Sequence, residues 1–197
     1  MTKSNEIKPR LIAAAPAGTD YRDSTDAWGV TTAWCTLASA DDLLSIAAVL
    51  KAAGARLMTI TVFQPKAVAP AAAGEGETPP PQPTFFGEAV PKDGQSYEID
   101  YHFDLDGMVL TVVAHVPAGG EIASLTGLFR GADWPEREAM EIYALRVGGH
   151  PDPRRLFLDQ GIESAVLERL IPMSTLTNSA TTKGLWEKIL AQTGKQS

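Results

Sequence analysis

Residues Tyr97 to Ala114 read YEIDYHFDLDGMVLTVVA. Tyr97, Ile99, Tyr101, Phe103 and Leu105 alternate with Glu98, Asp100, His102 and Asp104, the period of two that a strand imposes. Asp106-Gly107 comes next as a two-residue hairpin signal, since both turn positions need positive φ. Pairing Leu105 with Met108 sets Phe103 opposite Leu110, Tyr101 opposite Val112 and Ile99 opposite Ala114. A one-residue slip would destroy this match, so the register is well specified. The pattern predicts a hairpin with one core face and one polar face.

Upstream, Ala55 to Phe63 and Trp28 to Leu37 are rich in β-branched and aromatic residues and read as strands. Between them, Ser39-Ala-Asp-Asp42 resembles a capping box, Leu43, Leu44, Ile46, Ala47 and Leu50 follow at helical spacing, and Gly54 supplies a stop. This is a β-α-β unit. Downstream, Glu121 to Arg130 carries Ile122, Leu125, Leu128 and Phe129 and reads as a short amphipathic helix. A further helix is expected from Asp133-Trp-Pro-Glu136 to about Leu145, with Pro135 tolerated in the first turn and Asp133 with Glu136 as a capping box. Gly148-Gly149 ends it, and Pro151 and Pro153 stiffen the next segment.

The expected class is therefore α+β: a two-layer β-α-β-β-β-α domain with a mixed sheet, then a helix and an extended C-terminal segment. Residues 1–27 read as an N-terminal extension, 28–160 as the domain, and 161–197 as a helical tail with weak helices at 162–171 and 182–192. Seven of the 14 prolines lie between Pro65 and Pro91. Residues 65–94 are rich in Ala, Pro and Gly and cannot bury enough surface to offset ordering entropy, so they read as an inserted loop.

Composition sets outer limits. With 197 residues, 44% hydrophobic and 21% charged, the chain can build one packed core. A net charge of −7 argues against nucleic acid as the main partner. No apolar run is long enough to cross a membrane. The N-terminal apolar run, Leu11 to Ala15, is too short for a signal peptide, so a cytoplasmic location is expected. Cys35 is the only cysteine, which excludes an intrachain disulfide and any cluster held by four of this chain's thiolates.

Few residues offer chemistry. His102 and His115 share the polar face of the hairpin but sit roughly 13 Å apart at strand rise, too far to share a zinc ion. They read as solvated strand histidines, and Cys35 as a buried structural thiol. No serine-hydrolase, phosphate-loop or dinucleotide motif is present. Polar groups concentrate instead in residues 130–159. Five of the nine arginines fall there, at 130, 137, 146, 154 and 155, with acids at 133, 136, 138, 141, 152 and 159. The signs nearly cancel. Composition leaves two readings open: an ordinary solvated helix and loop, or a docking surface built on arginine forks.

The run WPEREAMEIYALRVGGHPDPRRLFL, residues 134–158, resembles the signature of the 30 kDa (C) subunit family of respiratory complex I, NADH:quinone oxidoreductase. Glu136-Arg137-Glu138 opens the pattern. Glu141 is its acid, Ile142-Tyr143 the apolar pair, His150 the basic group, Arg154 the arginine and Leu156 the aliphatic. Gly149-His150-Pro151-Asp152 matches a further family feature. Ala144 stands where the family usually has glycine, and no Pro-Leu-Arg-Lys-like segment follows Arg155. The shortened form is similar to the equivalent subunit of energy-converting, membrane-bound nickel–iron hydrogenases.

The resemblance implies a structural subunit of a cytoplasmic arm, with no cofactor, no metal and no catalytic residue of its own. Its implied partners are the large catalytic subunit, which is homologous to the hydrogenase large subunit, and the small iron–sulfur subunit, with membrane contact only through the complex. Glu136, Arg137, Glu138, Glu141, His150, Asp152, Arg154, Arg155 and Leu156 are the expected signature and docking residues. Glu138 or Glu141 could instead pair internally with Arg154 or Arg155 to fix the His-Pro turn. Two other readings compete: a small enzyme using His150 with Asp152 or Glu141 as an acid–base pair, and a binding module presenting the proline-rich loop.

Overall fold

The computed structural model describes residues 3–63, 96–143, 145–159 and 161. The expected loop at 65–94 and the two tail helices lie outside the described residues. The hairpin consists of β4 (Ser96–Leu105) and β5 (Met108–Pro117). Its register is the expected one: Leu105 faces Met108, Phe103 faces Leu110, Tyr101 faces Val112 and Ile99 faces Ala114. Asp106 and Gly107 have φ of 53° and 84°, the left-handed pair such a turn requires.

Around this hairpin the β-α-β unit is split. Strand β2 (Thr31–Leu37) pairs in parallel with β5, and β3 (Arg56–Phe63) pairs antiparallel with β4. Helix α2 (Leu43–Ala52) connects β2 to β3. Ser39 does cap, accepting from the Asp41 amide, but the start is a 3-10 turn over Ala40–Asp42. Asp42 does not close the box; its carboxylate accepts instead from the Ala17 amide at 3.1 Å.

Three expectations are corrected. The stretch 1–27 supplies helix α1 (Lys3–Ala14) and edge strand β1 (Thr19–Thr25), so the mixed sheet has five strands in the order β1-β2-β5-β4-β3. Ile7, Leu11, Ala15 and Tyr21 are buried in the same core cluster as Leu43, Ile46 and Leu50 of α2 and Tyr101, Phe103 and Leu110 of the hairpin. The second strand begins at Thr31, and Trp28 and Gly29 belong to the turn before it. Residues 121–130 are not a helix. Glu121–Ala123 forms β6, paired in parallel with β7 (Arg146–Gly148), and Arg130–Ala132 is a 3-10 turn. Strand pairing and the packing of Leu125 and Phe129 into the core override the helical spacing there.

The second sheet face also differs from a simple solvated one. Glu98, Asp100 and Thr111, on the inner strands β4 and β5, are buried. His102 bridges two hydroxyls, Thr111 at 3.0 Å and Thr61 at 3.3 Å. His115 lies 3.7 Å from Glu98, with its side chain 11% exposed. Asp100 Oδ1 and His115 Nε2 are buried without a hydrogen-bond partner. Burial, reinforced by Glu98, pushes the Asp100 carboxyl up to about 7.

Candidate functional site

Helix α3 (Asp133–Ile142) packs along β3 at the edge of the sheet opposite β1. Proline at the third position costs it little, since first-turn amides have no partner within the helix. The expected Asp133–Glu136 capping box is absent: Ala132 is the N-cap and makes no side-chain bond. Glu136 turns away from its own helix instead. Its carboxylate accepts from the Leu125 amide at 2.7 Å and the Ser124 hydroxyl at 2.6 Å. Burial raises its pKa, opposed by those two donors and by His150. Glu136 therefore ties α3 to the turn after β6.

Further along the helix, Arg137 and Glu141 stand four residues apart and face the same side. Arg137 donates to the carbonyls of Arg154 (2.8 Å) and Arg155 (3.0 Å). Glu141, itself buried, accepts from the amides of Leu156 (3.2 Å), Phe157 (3.0 and 3.1 Å) and Leu158. A cation thus grips carbonyls and an anion grips amides of one irregular segment. Charge-assisted bonds of this kind are roughly twice as strong as neutral ones.

His150 locks the turn before that segment. Its side chain is 0% exposed. Nδ1 accepts from the Asp152 amide at 3.0 Å, which assigns the proton to Nε2, 3.3 Å from the Asp133 carbonyl oxygen. Asp152 receives both forks of Arg154 at 2.7 Å, and this pairing holds its carboxyl well below the usual range.

The expected signature residues thus fall into two groups. Glu136, Arg137, Glu141 and His150 hold the chain's own backbone and side chains. Asp152, Arg154, Arg155 and Leu156 lie on the segment that Arg137, Glu141 and His150 hold. Glu138 joins neither group: it lines a shallow recess between α3 and β3 with Ile60, Val62 and Tyr143. Glu141 does fix the segment internally, through its amides rather than through Arg154 or Arg155. A second recess of about 630 Å³ opens over the segment, lined by Arg137, Arg154, Arg155, Leu158 and Asp159. Sequence reasoning missed two exposed aromatics, Phe157 on the held segment (69% exposed) and Trp134 in the first turn of α3 (62%). Their only signal was a large aromatic within an otherwise charged run. Among the described residues no three His, Cys, Asp or Glu side chains converge as metal ligands, and no helix is long and apolar enough to cross a membrane. Cys35 is fully buried, bonded to the Thr19 hydroxyl at 3.1 Å, and burial pushes its thiol up.

Comparison with known proteins gives the chain's family. The family model described as respiratory-chain NADH dehydrogenase, 30 Kd subunit, matches residues 37–176. The NADH-quinone oxidoreductase C subunit of Mesorhizobium japonicum is 34% identical over 90 residues, 45% of each chain. Its counterpart from Rhodopseudomonas palustris is 37% identical over 87 residues, 43% of this chain and 42% of that one. The matched stretch thus spans under half the length of these relatives. In fold, the chain is similar to a chain in the structure of a membrane-bound sulfane sulfur reductase, an archaeal respiratory membrane complex, with TM-score 0.50, 15% identity, and coverage of 81% and 79%. The chain belongs to the respiratory-chain NADH dehydrogenase 30 Kd subunit family.

Proposed function

We propose that this chain is a non-catalytic structural subunit of a membrane-associated respiratory redox assembly, of the complex I type or of a related membrane-bound type. In this reading it sits on the cytoplasmic side and docks on the large catalytic subunit, near the small iron–sulfur subunit, through residues 150–158. The observation that carries the reading is the clamp. Arg137 and Glu141 fix the backbone of residues 154–158 from within, so the side chains of Arg154 and Phe157 point outward on a segment of set shape. An exposed aromatic beside arginines on a pre-ordered loop is the composition of an interface hot spot.

The enzyme alternative fares worse. An acid–base histidine must reach a substrate, whereas the His150 ring is closed off from solvent and lines neither recess beside α3. The test is affinity purification of the tagged full chain from detergent-solubilised membranes of its own cells. Arg154→Ala with Phe157→Ala should keep the thermal midpoint of the chain and lose the large subunit roughly tenfold or more. Undiminished recovery of that subunit would overturn the docking surface.

A further inference from the structure

The turn between β1 and β2 lies just past the last pairing of β2 with β5, Thr32 with Val109, so only the Thr25–Thr31 pair and the turn itself stand beyond the sheet. Every residue from Arg22 to Val30 is exposed. This turn is held by its own bonds. The Thr25 and Thr31 hydroxyls pair at 3.0 Å across its neck. The Asp26 amide donates to the Val30 carbonyl at 2.9 Å, and Asp26 Oδ1 accepts from the amides of Trp28 (2.9 Å) and Val30 (2.8 Å). Gly29 closes the turn at φ +83°, a conformation that a side chain would strain. The backbone of Trp28 is thus fixed from both sides while its indole is 88% exposed, more than any other large apolar side chain among the described residues. Val30 beside it is 47% exposed.

A rigidly presented indole offers a large apolar area at low ordering cost. The exposed stretch is also acidic: it carries Asp23 and Asp26, and its one cation, Arg22, is paired with Asp20 further back along β1 at 2.8 Å. We infer that Trp28 is an anchor that enters an apolar, basic-rimmed socket on a second subunit of the same assembly. The acidic charge disfavours an anionic lipid surface and a second copy of this turn. Strand order places the turn at the opposite edge of the sheet from α3, four strand spacings or roughly 19 Å away. Placement at opposite edges suits two different neighbours, and the socket is assigned to a subunit other than the one at residues 150–158. This inference rests on the chain being part of an assembly, not on the identity of the 150–158 surface.

The test places p-benzoylphenylalanine at position 28, and separately at position 157, of the full chain in its own cells. The solubilised assembly is irradiated and the adducts are identified by mass spectrometry. Position 28 should cross-link to an identified subunit of the assembly other than the one captured from position 157. Trp28→Ala should leave the thermal midpoint unchanged and let that subunit dissociate roughly tenfold faster in a salt wash. An adduct with lipid or with a second copy, no adduct, or a Trp28→Ala assembly that behaves as the original would overturn the inference. Failure at position 157 alone would overturn the docking surface and leave Trp28 untouched.

Discussion

Glu141 accepts from three successive amides, and no neutral group can replace it there. Glu141→Gln keeps the shape but turns an amide N–H₂ toward N–H donors. The segment should then open more readily by about 1–3 kcal/mol. Hydrogen exchange at the amides of 156–158 should accelerate accordingly, while the core amides of β4 and β5 stay protected. Asp100 is the second residue with a measurable signature. Its ordinary pKa of 3.8 is raised to about 7 in the fold. Between those pH values the unfolded chain binds fewer protons than the folded one, so this group's contribution to stability is full below pH 4 and is lost as pH rises through 7. Asp100→Asn should accordingly stabilise the protein at pH 8, on the order of 2 kcal/mol, and make little difference near pH 4. Thermal denaturation at the two pH values checks both the size and the direction. An internal role for Glu141 was open in advance but its amide partners were not legible, and the burial of Asp100 was not legible at all. A side chain bonded to backbone leaves no mark on the sequence of its partner, and burial of the polar sheet face depends on tertiary packing that alternation along one strand does not encode.

Elements were legible in proportion to the strength of their local period. The β4–β5 hairpin was readable to the residue because strict alternation and Asp106-Gly107 both specify one register. Helix α1 was not. Its buried positions are Ser4, Ile7 and Leu11, and Pro9 interrupts the pattern. What holds it is tertiary: the Ser4 hydroxyl bonds Tyr21 and Asp23 of β1, each at 2.8 Å, and Leu11 is fully buried. Leu11→Ala should therefore cost about 2–5 kcal/mol and lower the midpoint of the whole unfolding transition. A separate, unshifted main transition would show α1 to be an appendage after all. Residues 121–130 failed in the opposite direction. Ile122, Leu125 and Phe129 have helical spacing and all reach the core, but from a strand and the irregular chain after it, with Ile122 in β6 facing Val147 of β7.

At the scale of the molecule, the sheet separates two exposed aromatic sites. Trp28 leads the β1 edge, and Phe157 lies on the segment clamped to α3 beside the β3 edge. Groups this far apart with no shared partner contribute independently, within roughly 0.3–0.5 kcal/mol. If both anchor the chain in its assembly, the loss of recovery in Trp28→Ala with Phe157→Ala should equal the product of the two single losses. Quantitative mass spectrometry of salt-washed assemblies would measure it, and marked departure from that product would mean the two sites share one neighbour. The candidate site was legible as a location, since the charged run 130–159 stood out, but its division of labour was not. Glu136, Arg137, Glu141 and His150 are expected from sequence to build and orient the docking surface, and in the structure each bonds atoms of this chain.

Because Arg137 and Glu141 seize main-chain atoms, the path of residues 154–158 is indifferent to the identity of what it carries. Side chains there can be exchanged to suit a changed neighbour without refitting the support beneath. Imino acids are the exception: proline at 156, 157 or 158 would remove an N–H that Glu141 requires.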